Sequence, residues 1–324
     1  MKKIFLIALS LGCISISCAQ KKKKSADYKV DQKSVEATLK FLSSDELKGR
    51  MSGSKELEKA GAYLEDIFVK NGVKPYFVTF KDTLTNYDKT TYNIVGYLEG
   101  TDPVLKKEFV VLGAHYDHIG IEKNPTTADS VYAAAIDSIY NGANDDASGT
   151  TAVAEMANYF GKMKNNKRSV LFCFFSGEEE GLLGSRSLAA KLKKQDFNLY
   201  TMLEFEMVGV PMKRDILAYV TGWGTSNMGD KMNEYAGKKL VGYLDVEMKY
   251  QLFRRSDNYS FYNEFHKPSQ TICTFDFENF DYYHHVDDEY ENMDLAAMTN
   301  FIQQMVPVIE KMVNAPAGDI LVKK

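Results

Sequence analysis

The stretch from Val110 to Glu180 decides the fold, because two apolar, strand-like runs in it each end in a polar motif. The first motif reads Gly113-Ala114-His115-Tyr116-Asp117-His118, and the second reads Ser176-Gly177-Glu178-Glu179-Glu180-Gly181. Between them lies the segment Asn141-Gly142-Ala143-Asn144-Asp145-Asp146-Ala147-Ser148-Gly149. Imidazole and carboxylate groups in this combination suit a hard-to-borderline divalent cation, above all zinc. The stretch therefore predicts a metal site at the ends of neighbouring strands.

Around this stretch, strand and helix patterns alternate, which predicts an α/β fold in a single domain. Continuous apolar runs such as 109–112 and 169–175 are typical of strands buried on both faces, so we expect a mostly parallel, mixed β-sheet sandwiched by helices. The sequence predicts strands at 76–80, 92–98, 109–112, 169–175, 199–207, 216–220 and 269–275, and helices at 34–42, 57–69, 147–160, 182–193, 228–236 and 295–313.

The composition excludes several classes of protein. The 324 residues are 44% hydrophobic and 26% charged, which is ordinary for a globular chain and argues against disorder. A net charge of −4 provides no field that would attract a polyanion, and no basic patch with interleaved aromatic residues follows residue 30. Nucleic acid is therefore not an expected partner.

The first 18 residues have the pattern of a secretory signal peptide. Lys2 and Lys3 precede an apolar run from Ile4 to Ile16, which is too short for a stable membrane-spanning helix. The protein is therefore expected to be exported.

The end of the signal can be interpreted in two ways. Ser17-Cys18 is typical of a bacterial lipoprotein site, whereas Ser17-x-Ala19 suits an ordinary signal peptidase. The lipoprotein interpretation is favoured because Lys21–Lys24 and the polar residues after them could form a tether over 19–30. It predicts a periplasmic or outer-membrane lipoprotein that touches the membrane only through a lipid on Cys18; ordinary cleavage would give a secreted protein.

The histidines give the sharpest indication of chemistry. The chain has only five, and four of them lie in two acidic clusters, His115 and His118 in the first and His284 and His285 in the second. A single histidine of this kind is more often structural than functional. Two clusters beside carboxylates and strand ends favour a metal site instead.

These motifs resemble the M28 family of zinc peptidases, the aminopeptidase and glutamate-carboxypeptidase-like group. The resemblance covers nearly all of residues 31–324 and rests on His-x-Asp at 115–117, Gly-Ala-x-Asp-Asp-x-Ser-Gly at 142–149, Glu-Glu-x-Gly at 178–181, Glu-Met at 206–207 and Tyr-His-x-x-x-Asp at 283–288. It implies a zinc-exopeptidase-like fold and a peptide substrate.

The resemblance also implies a set of site residues for two zinc ions per chain. His115 and Glu206 would bind one ion, Glu179 and His284 the other, and Asp145 would bridge both, while Glu178 would be the general base. Asp117 is expected to accept a hydrogen bond from the imidazole of His115, as metal-bound histidines require.

Two positions depart from the family pattern. Many relatives have Asp where this chain has Glu206, and Glu204 would point to the same face of a strand, so Glu204 is the alternative ligand. Asn258 stands where relatives often carry His. The sequence leaves open whether Asp257 and Asp288 serve the site or are ordinary surface carboxylates.

The sequence is compatible with four functions, of which an aminopeptidase is favoured. A carboxypeptidase or dipeptidase would need a cation for the substrate carboxylate, which Arg254 or Arg255 could supply. A glutaminyl-cyclase-like transferase would use a single zinc, and a non-catalytic binding protein would not need the full ligand set. Cys173 and Cys273 lie in apolar runs and are expected to be buried and unpaired.

Overall fold

The computed structural model describes residues 27–122 and 137–323. The predicted signal peptide 1–18, the lipid-carrying Cys18 and most of the predicted tether 19–30 lie outside these residues. The last residues of that tether pack against the domain, because the Val30 N–H donates to Oε1 of Gln303 at 3.0 Å and Nε2 of Gln303 donates to the Tyr28 carbonyl at 3.1 Å.

The described strands form one large sheet and a two-stranded ribbon. They are β1 Lys74–Pro75, β2 Lys81–Thr83, β3 Tyr92–Leu98, β4 Phe109–His115, β5 Gly120–Ile121, β6 Ile139–Tyr140, β7 Ser169–Phe175, β8 Leu199–Glu206, β9 Ala218–Val220, β10 Val241–Gly242 and β11 Ser269–Cys273. The large sheet has the order β1-β3-β7-β4-β8-β11-β9-β10, with β2 also paired to β3, and β5 pairs with β6.

The centre of the sheet is parallel and its edges are mixed. β7, β4, β8 and β11 run parallel to one another, whereas β3 and β9 pair antiparallel with β7 and β11. All seven residues of β7 are buried, as a strand covered on both faces requires. The predicted mostly parallel, mixed α/β sheet is therefore confirmed.

The helices lie on both faces of the sheet. They are α1 Gln32–Leu42, α2 Lys55–Lys70, α3 Gly149–Met163, α4 Leu183–Lys194, α5 Met228–Ala236, α6 Glu247–Tyr250, α7 Asn258–Phe265 and α8 Leu295–Asn314. Side chains cap three of the predicted helices at their N-termini: Asp31 accepts from the Lys33 N–H at 3.1 Å, Ser54 from the Leu57 N–H at 3.0 Å and Asp294 from the Ala297 N–H at 2.9 Å. Within residues 27–122 and 137–323, no helix is long and apolar enough to cross a membrane.

Alternation along the central strands divides the core into two layers. Phe172 and Phe174 of β7 pack on the side of α1, α2, α3 and α8, whereas Leu171, Cys173 and Phe175 pack on the side of α4 and α7. Cys173 and Cys273 are buried and unpaired, as predicted. The two layers hold the central strands rigidly, so the carboxyl ends of those strands have fixed positions.

The predicted strand at 76–80 is wrong. The Tyr76 N–H donates to the carbonyl of Val95 at 3.2 Å, and the Val95 N–H donates to the carbonyl of Phe80 at 2.7 Å. Both ends of the segment therefore bond to one residue of β3, and residues 77–79 bulge out between them. Val78 at the crest is 98% exposed, although its side chain favours strands.

The structure also contains two helices that the sequence did not predict, and it corrects one helix boundary. Residues 241–262, where the sequence predicts neither helix nor strand, contain α6 and the start of α7; the buried residues of α7, Asn258, Ser260 and Phe261, do not form a clear apolar helix face. The helix predicted from residue 147 begins at Gly149, because Asp145 and Asp146 have non-helical backbone angles.

Candidate metal centre

The proposed ligands all lie at the carboxyl edge of the central sheet. His115 and Glu206 are the last residues of β4 and β8, and Glu179 follows the end of β7. Asp145 lies in the irregular segment before α3, and His284 lies in the segment between β11 and α8. Parallel strands in register bring these residues together, since Gly113 of β4 pairs with both Cys173 of β7 and Glu204 of β8.

The first group of ligand atoms surrounds His115. Its Nε2 lies 3.1 Å from Oδ1 of Asp145 and 3.4 Å from Oε1 of Glu206. Tetrahedral zinc with bonds of 2.0–2.2 Å separates its ligand atoms by about 3.3 Å. The three side chains therefore fit one zinc ion.

The second group surrounds His284. Its Nε2 lies 3.2 Å from Oδ2 of Asp145 and 3.1 Å from Oε2 of Glu179. Asp145 thus presents one oxygen to each group. These distances equally fit a tetrahedral ion, and together the two groups fit a pair of ions with a shared carboxylate.

Several atoms of the site are buried without a hydrogen-bond partner. They include Nε2 of His115 and Oε1 of Glu179, although each has an oppositely charged atom within about 3 Å. Buried polar atoms normally have a hydrogen-bond partner, so a buried atom without one needs an explanation. Close approach without hydrogen-bond alignment is expected when the atoms are aimed at a common cation rather than at each other.

The charges of the site are strongly coupled. Burial alone would lower the pKa of His115, but the carboxylates of Glu206 and Glu178 outweigh it and raise that pKa well above its usual range. Burial alone would raise the pKa of Asp145, but the imidazoles of His115 and His284 hold it well below its usual range. Metal ligation needs the neutral imidazole, so a metal ion bound here would displace any proton that the carboxylates favour on His115.

The neighbouring carboxyl groups have raised pKa values, in contrast to Asp145. Burial, with the charges of Glu206 and Glu179, raises the pKa of Glu178 well above its usual range. Burial also raises the pKa of Asp117 to about 6 and that of Asp257 to about 7. More carboxyl groups converge here than can all ionise without a cation, which again suits a divalent metal.

The structure corrects the expected contact of Asp117. Nδ1 of His115 lies 3.1 Å from the backbone carbonyl oxygen of Asp117 and 3.8 Å from its carboxylate. The carboxylate instead accepts hydrogen bonds from the hydroxyl of Ser52 at 3.0 Å and from the Glu178 N–H at 3.3 Å. Asp117 therefore fixes the tautomer of His115 through its main chain, and its side chain holds the backbone of Glu178.

The two glutamates of β8 have different surroundings. Oε2 of Glu206 accepts a hydrogen bond from the Ser256 hydroxyl at 2.7 Å, which leaves Oε1 facing His115. Glu204 is fully buried one layer below, and a Cβ added to Gly113 would lie 2.5 Å from its Oε2. The geometry thus favours Glu206 over Glu204 as the ligand.

Two residues near the ligands were not assigned a role by the sequence. Nδ1 of His118 lies 2.8 Å from Oε1 of Glu179. Asp146 accepts from the N–H groups of Gly149 and Met207 through Oδ1, and its carboxylate lies within 4.8 Å of ligand atoms of His115 and Glu206. The Asp-Asp pair was the available signal for Asp146, but spacing alone does not tell which carboxylate faces the metal.

Arg50 is a buried support of the site. Its guanidinium donates to the carbonyls of Leu42 and Asn141 at 2.5 Å, of Tyr116 at 3.0 Å and of Gly142 at 3.1 Å. It therefore ties the end of α1 to the segments that lead into Asp117 and Asp145. The sequence alone could not indicate these contacts.

Asp257, Asn258 and Asp288 are structural neighbours of the site rather than surface groups. Asp257 and Asp288 are fully buried, and Asp288 accepts from the N–H groups of Asn144 at 2.7 Å and Asp145 at 3.0 Å. Asn258 joins α7 to β11, since its Oδ1 accepts from the hydroxyl of Thr271 at 2.8 Å. His285 has Nδ1 3.5 Å from Oδ2 of Asp287 and is not among the paired ligand contacts.

A helix-covered mixed sheet with imidazole and carboxylate groups gathered at its carboxyl edge suits a metal-dependent hydrolase. The family model of peptidase family M28 matches residues 93–309. The chain belongs to peptidase family M28.

Individual relatives agree with this family. A probable zinc metalloprotease of Pyrenophora tritici-repentis is 37% identical over 117 residues, which is 36% of this chain and 24% of that protein. A probable leucine aminopeptidase of Trichophyton verrucosum is 28% identical over 263 residues, which is 78% of this chain and 63% of that protein. The matched part of the chain thus spans between about a quarter and two thirds of these curated relatives.

A solved structure supports the fold. The zinc aminopeptidase BSAP of Bacillus subtilis superposes with a TM-score of 0.67 at 15% identity, covering 90% of this chain and 98% of that one. At this identity the similarity establishes the architecture, and the chemistry is argued from the residues of the site.

Proposed function

We propose that the protein is a di-zinc aminopeptidase that hydrolyses the N-terminal residue from peptides. The observation that carries this proposal is the divided carboxylate of Asp145, with one oxygen 3.1 Å from His115 and the other 3.2 Å from His284. His115, Asp145 and Glu206 would hold one ion, and His284, Asp145 and Glu179 would hold the other.

When bound, the zinc ions would polarise the peptide carbonyl and lower the pKa of water from 15.7 to roughly 7. Glu178 would take a proton from the attacking water and return it to the leaving amine. Asp117 supports this role, because its carboxylate accepts from the Glu178 N–H and so fixes where the base stands.

The preference for the amino terminus rests on the charges at the centre and on the relatives. Arg50 is a buried cation near the ligands, and its four hydrogen bonds go to backbone carbonyls rather than toward a substrate. The carboxylates of the centre suit a substrate ammonium group. The relative from Trichophyton verrucosum, described as a probable leucine aminopeptidase, supports the same activity.

Two groups of ligand atoms also favour an aminopeptidase over a cyclase-like transferase with one zinc. A non-catalytic binding protein would not require the buried base beside them. Export, as a lipoprotein anchored at Cys18 or as a secreted protein, remains a prediction from residues 1–26.

Glu178→Gln tests the role of the base. The variant should keep its zinc, because Glu178 is not among the close ligand contacts, and should lose about 10²- to 10⁴-fold in turnover of a peptide with a free amino terminus. Glu180→Gln is the matched control, since Glu180 is exposed and accepts a hydrogen bond from the hydroxyl of Tyr87 at 3.4 Å, away from the ligand atoms.

Peptides blocked at either end test the direction of attack. Acetylation of the amino terminus should abolish cleavage, and amidation of the carboxyl terminus should not. Full activity of Glu178→Gln would remove Glu178 from the base role, and cleavage of the acetylated peptide alone would replace the aminopeptidase with a carboxypeptidase.

A further inference from the structure

A small cavity adjoins the proposed metal centre. It has a volume of about 80 Å³ and is bounded by Glu206 on one side and by apolar groups that include Leu252, Phe275, Phe277 and Tyr283. Since a water molecule needs about 10–15 Å³ by this measure, the cavity has room for a short side chain but not for a large ring. Glu206 lines it, so the cavity lies directly beside one of the proposed metal ligands.

Arg255 is the basic residue of this cavity. It lies directly after the Leu252–Arg254 turn and is exposed, and its guanidinium has no hydrogen bond or ion pair with any residue in the described ranges 27–122 and 137–323. Arg168 and Arg214, by contrast, are engaged: Arg168 pairs with Glu108 at 2.7 Å and Arg214 with Asp276 at 2.8 Å. Arg255 is thus a donor group at the cavity that is free to bind a ligand.

The remaining titratable groups of the cavity do not neutralise Arg255. Burial raises the pKa values of Tyr219 and Cys273, so both are uncharged near neutral pH. Glu206 is directed to the hydroxyl of Ser256 and to His115. The cavity therefore combines apolar walls with a single available positive charge.

The adjacent Arg254 is placed differently. Its guanidinium lies 5.8 Å from the ring centroid of Tyr259, and it lines a separate cavity that also contains Trp223 and Met248. Of the two arginines that the sequence offered as carboxylate ligands, only Arg255 lines the cavity that Glu206 also lines.

We propose that Arg255 binds a carboxylate of the substrate in this cavity. The guanidinium fork matches a carboxylate in two-pronged geometry, and the aromatic walls would pack against the methylene groups that carry it. The carboxylate can come from the side chain of an N-terminal Asp or Glu or from the carboxyl terminus of a dipeptide. The inference rests on the proposed aminopeptidase function and names its substrate class.

The test compares glutamyl and glutaminyl 4-nitroanilides, which have nearly the same shape and differ in charge. The zinc-loaded wild-type protein should prefer the glutamyl substrate in kcat/KM. Arg255→Gln should lose about 10- to 100-fold on that substrate and change little on the glutaminyl one, as loss of a charged hydrogen bond predicts. Arg254→Gln is the matched control and should retain the preference.

A second comparison identifies the source of the carboxylate. If it is the carboxyl terminus, Arg255→Gln should slow cleavage of Leu-Ala and leave Leu-Ala amide unchanged, with no effect on the glutamyl to glutaminyl ratio. Competitive inhibition by free glutamate should also weaken in Arg255→Gln while inhibition by glutamine does not, which reports binding without turnover.

Equal effects of Arg255→Gln on charged and neutral members of both pairs, or no effect on either, would overturn the inference alone. If the wild-type protein cleaved no substrate with a free amino terminus, this would contradict both the proposed aminopeptidase function and the inference about Arg255.

Discussion

Asp145 shows at the scale of one residue how the site is assembled. Its two carboxylate oxygens face two different imidazoles, and its N–H donates to Oδ2 of Asp288 at 3.0 Å. The carboxylate cannot rotate without losing one imidazole contact. A fixed bridging carboxylate is what two neighbouring cations need.

The zinc content of two variants can show whether Glu206 or Glu204 is the metal ligand. Glu206→Ala should bind less zinc, because it removes one of three groups around the first ion. Glu204→Gln should keep the full zinc content, since burial raises the pKa of Glu204 well above its usual range and a neutral amide resembles the protonated acid. Elemental analysis of both purified variants measures the difference, and normal zinc in Glu206→Ala would point to another ligand.

The sequence grouped these side chains but could not predict their contacts. The order of motifs singled out His115, Asp145, Glu179, Glu206 and His284, which the structure brings together in two groups. It could not predict that His115 meets the main chain of Asp117, because the rotation of a side chain after a strand end does not follow from spacing.

At the scale of elements, α3 and β8 meet where Asp146 lies. Its Oδ1 accepts from the N–H of Gly149 at 3.0 Å, at the start of α3, and from the N–H of Met207 at 2.9 Å, just after β8. The helix start and the strand end that carry the first metal group are therefore held by one carboxylate. This close approach explains a glycine at a helix start.

Gly149→Ala should destabilise the protein, although Ala is favoured in helices by about 1 kcal/mol. The added Cβ would lie 2.2 Å from the Phe205 carbonyl oxygen and 2.4 Å from Oδ1 of Asp146, and such overpacking typically costs about 1–3 kcal/mol or more. We expect a lower Tm and less bound zinc, measured by calorimetry and elemental analysis.

The control for this prediction is Gly224→Ala, because nothing lies within 4 Å of a Cβ built there. Its Tm should be close to that of the wild-type protein. A Gly149→Ala variant as stable as the control would show that α3 and β8 can separate without cost.

Helices and strands with regularly spaced apolar residues were predicted well. Elements that depend on tertiary contacts were not. α8 buries Phe301, Ile302, Met305 and Ile309 along one face, and the sequence predicts it to within a residue. The bulge at 76–80 depends on two bonds to Val95, and α7 depends on the polar contacts of Asn258. Neither leaves a pattern within its own segment.

At the scale of the whole molecule, acidic groups gather beyond the metal centre as well. A cavity of about 770 Å³ is lined by Asp45, Asp137, Asp287, Glu289 and Glu291. Burial and the charges of Asp137 and Asp45 raise the pKa of Glu289 to about 8, although its contact with Asn141 opposes the shift. The folded protein therefore binds a proton here that the unfolded chain releases at about 4.5.

This excess proton makes global stability depend on pH. Between pH 4.5 and about 8 the folded state holds more protons at Glu289 than the unfolded state, so the free energy of unfolding should fall as pH rises through this window. Glu289→Gln removes the titration and should flatten the curve, as measured by urea unfolding at fixed zinc concentration. Equal slopes for the two proteins would contradict the raised pKa of Glu289.

We propose that the molecule binds two zinc ions, with Asp145 among the ligands of both. The most direct measurement is a zinc titration of the metal-free protein, following hydrolysis of a peptide with a free amino terminus. We predict that activity reaches its plateau at two equivalents of zinc per chain. A plateau at one equivalent, or activity without added zinc, would contradict the claim.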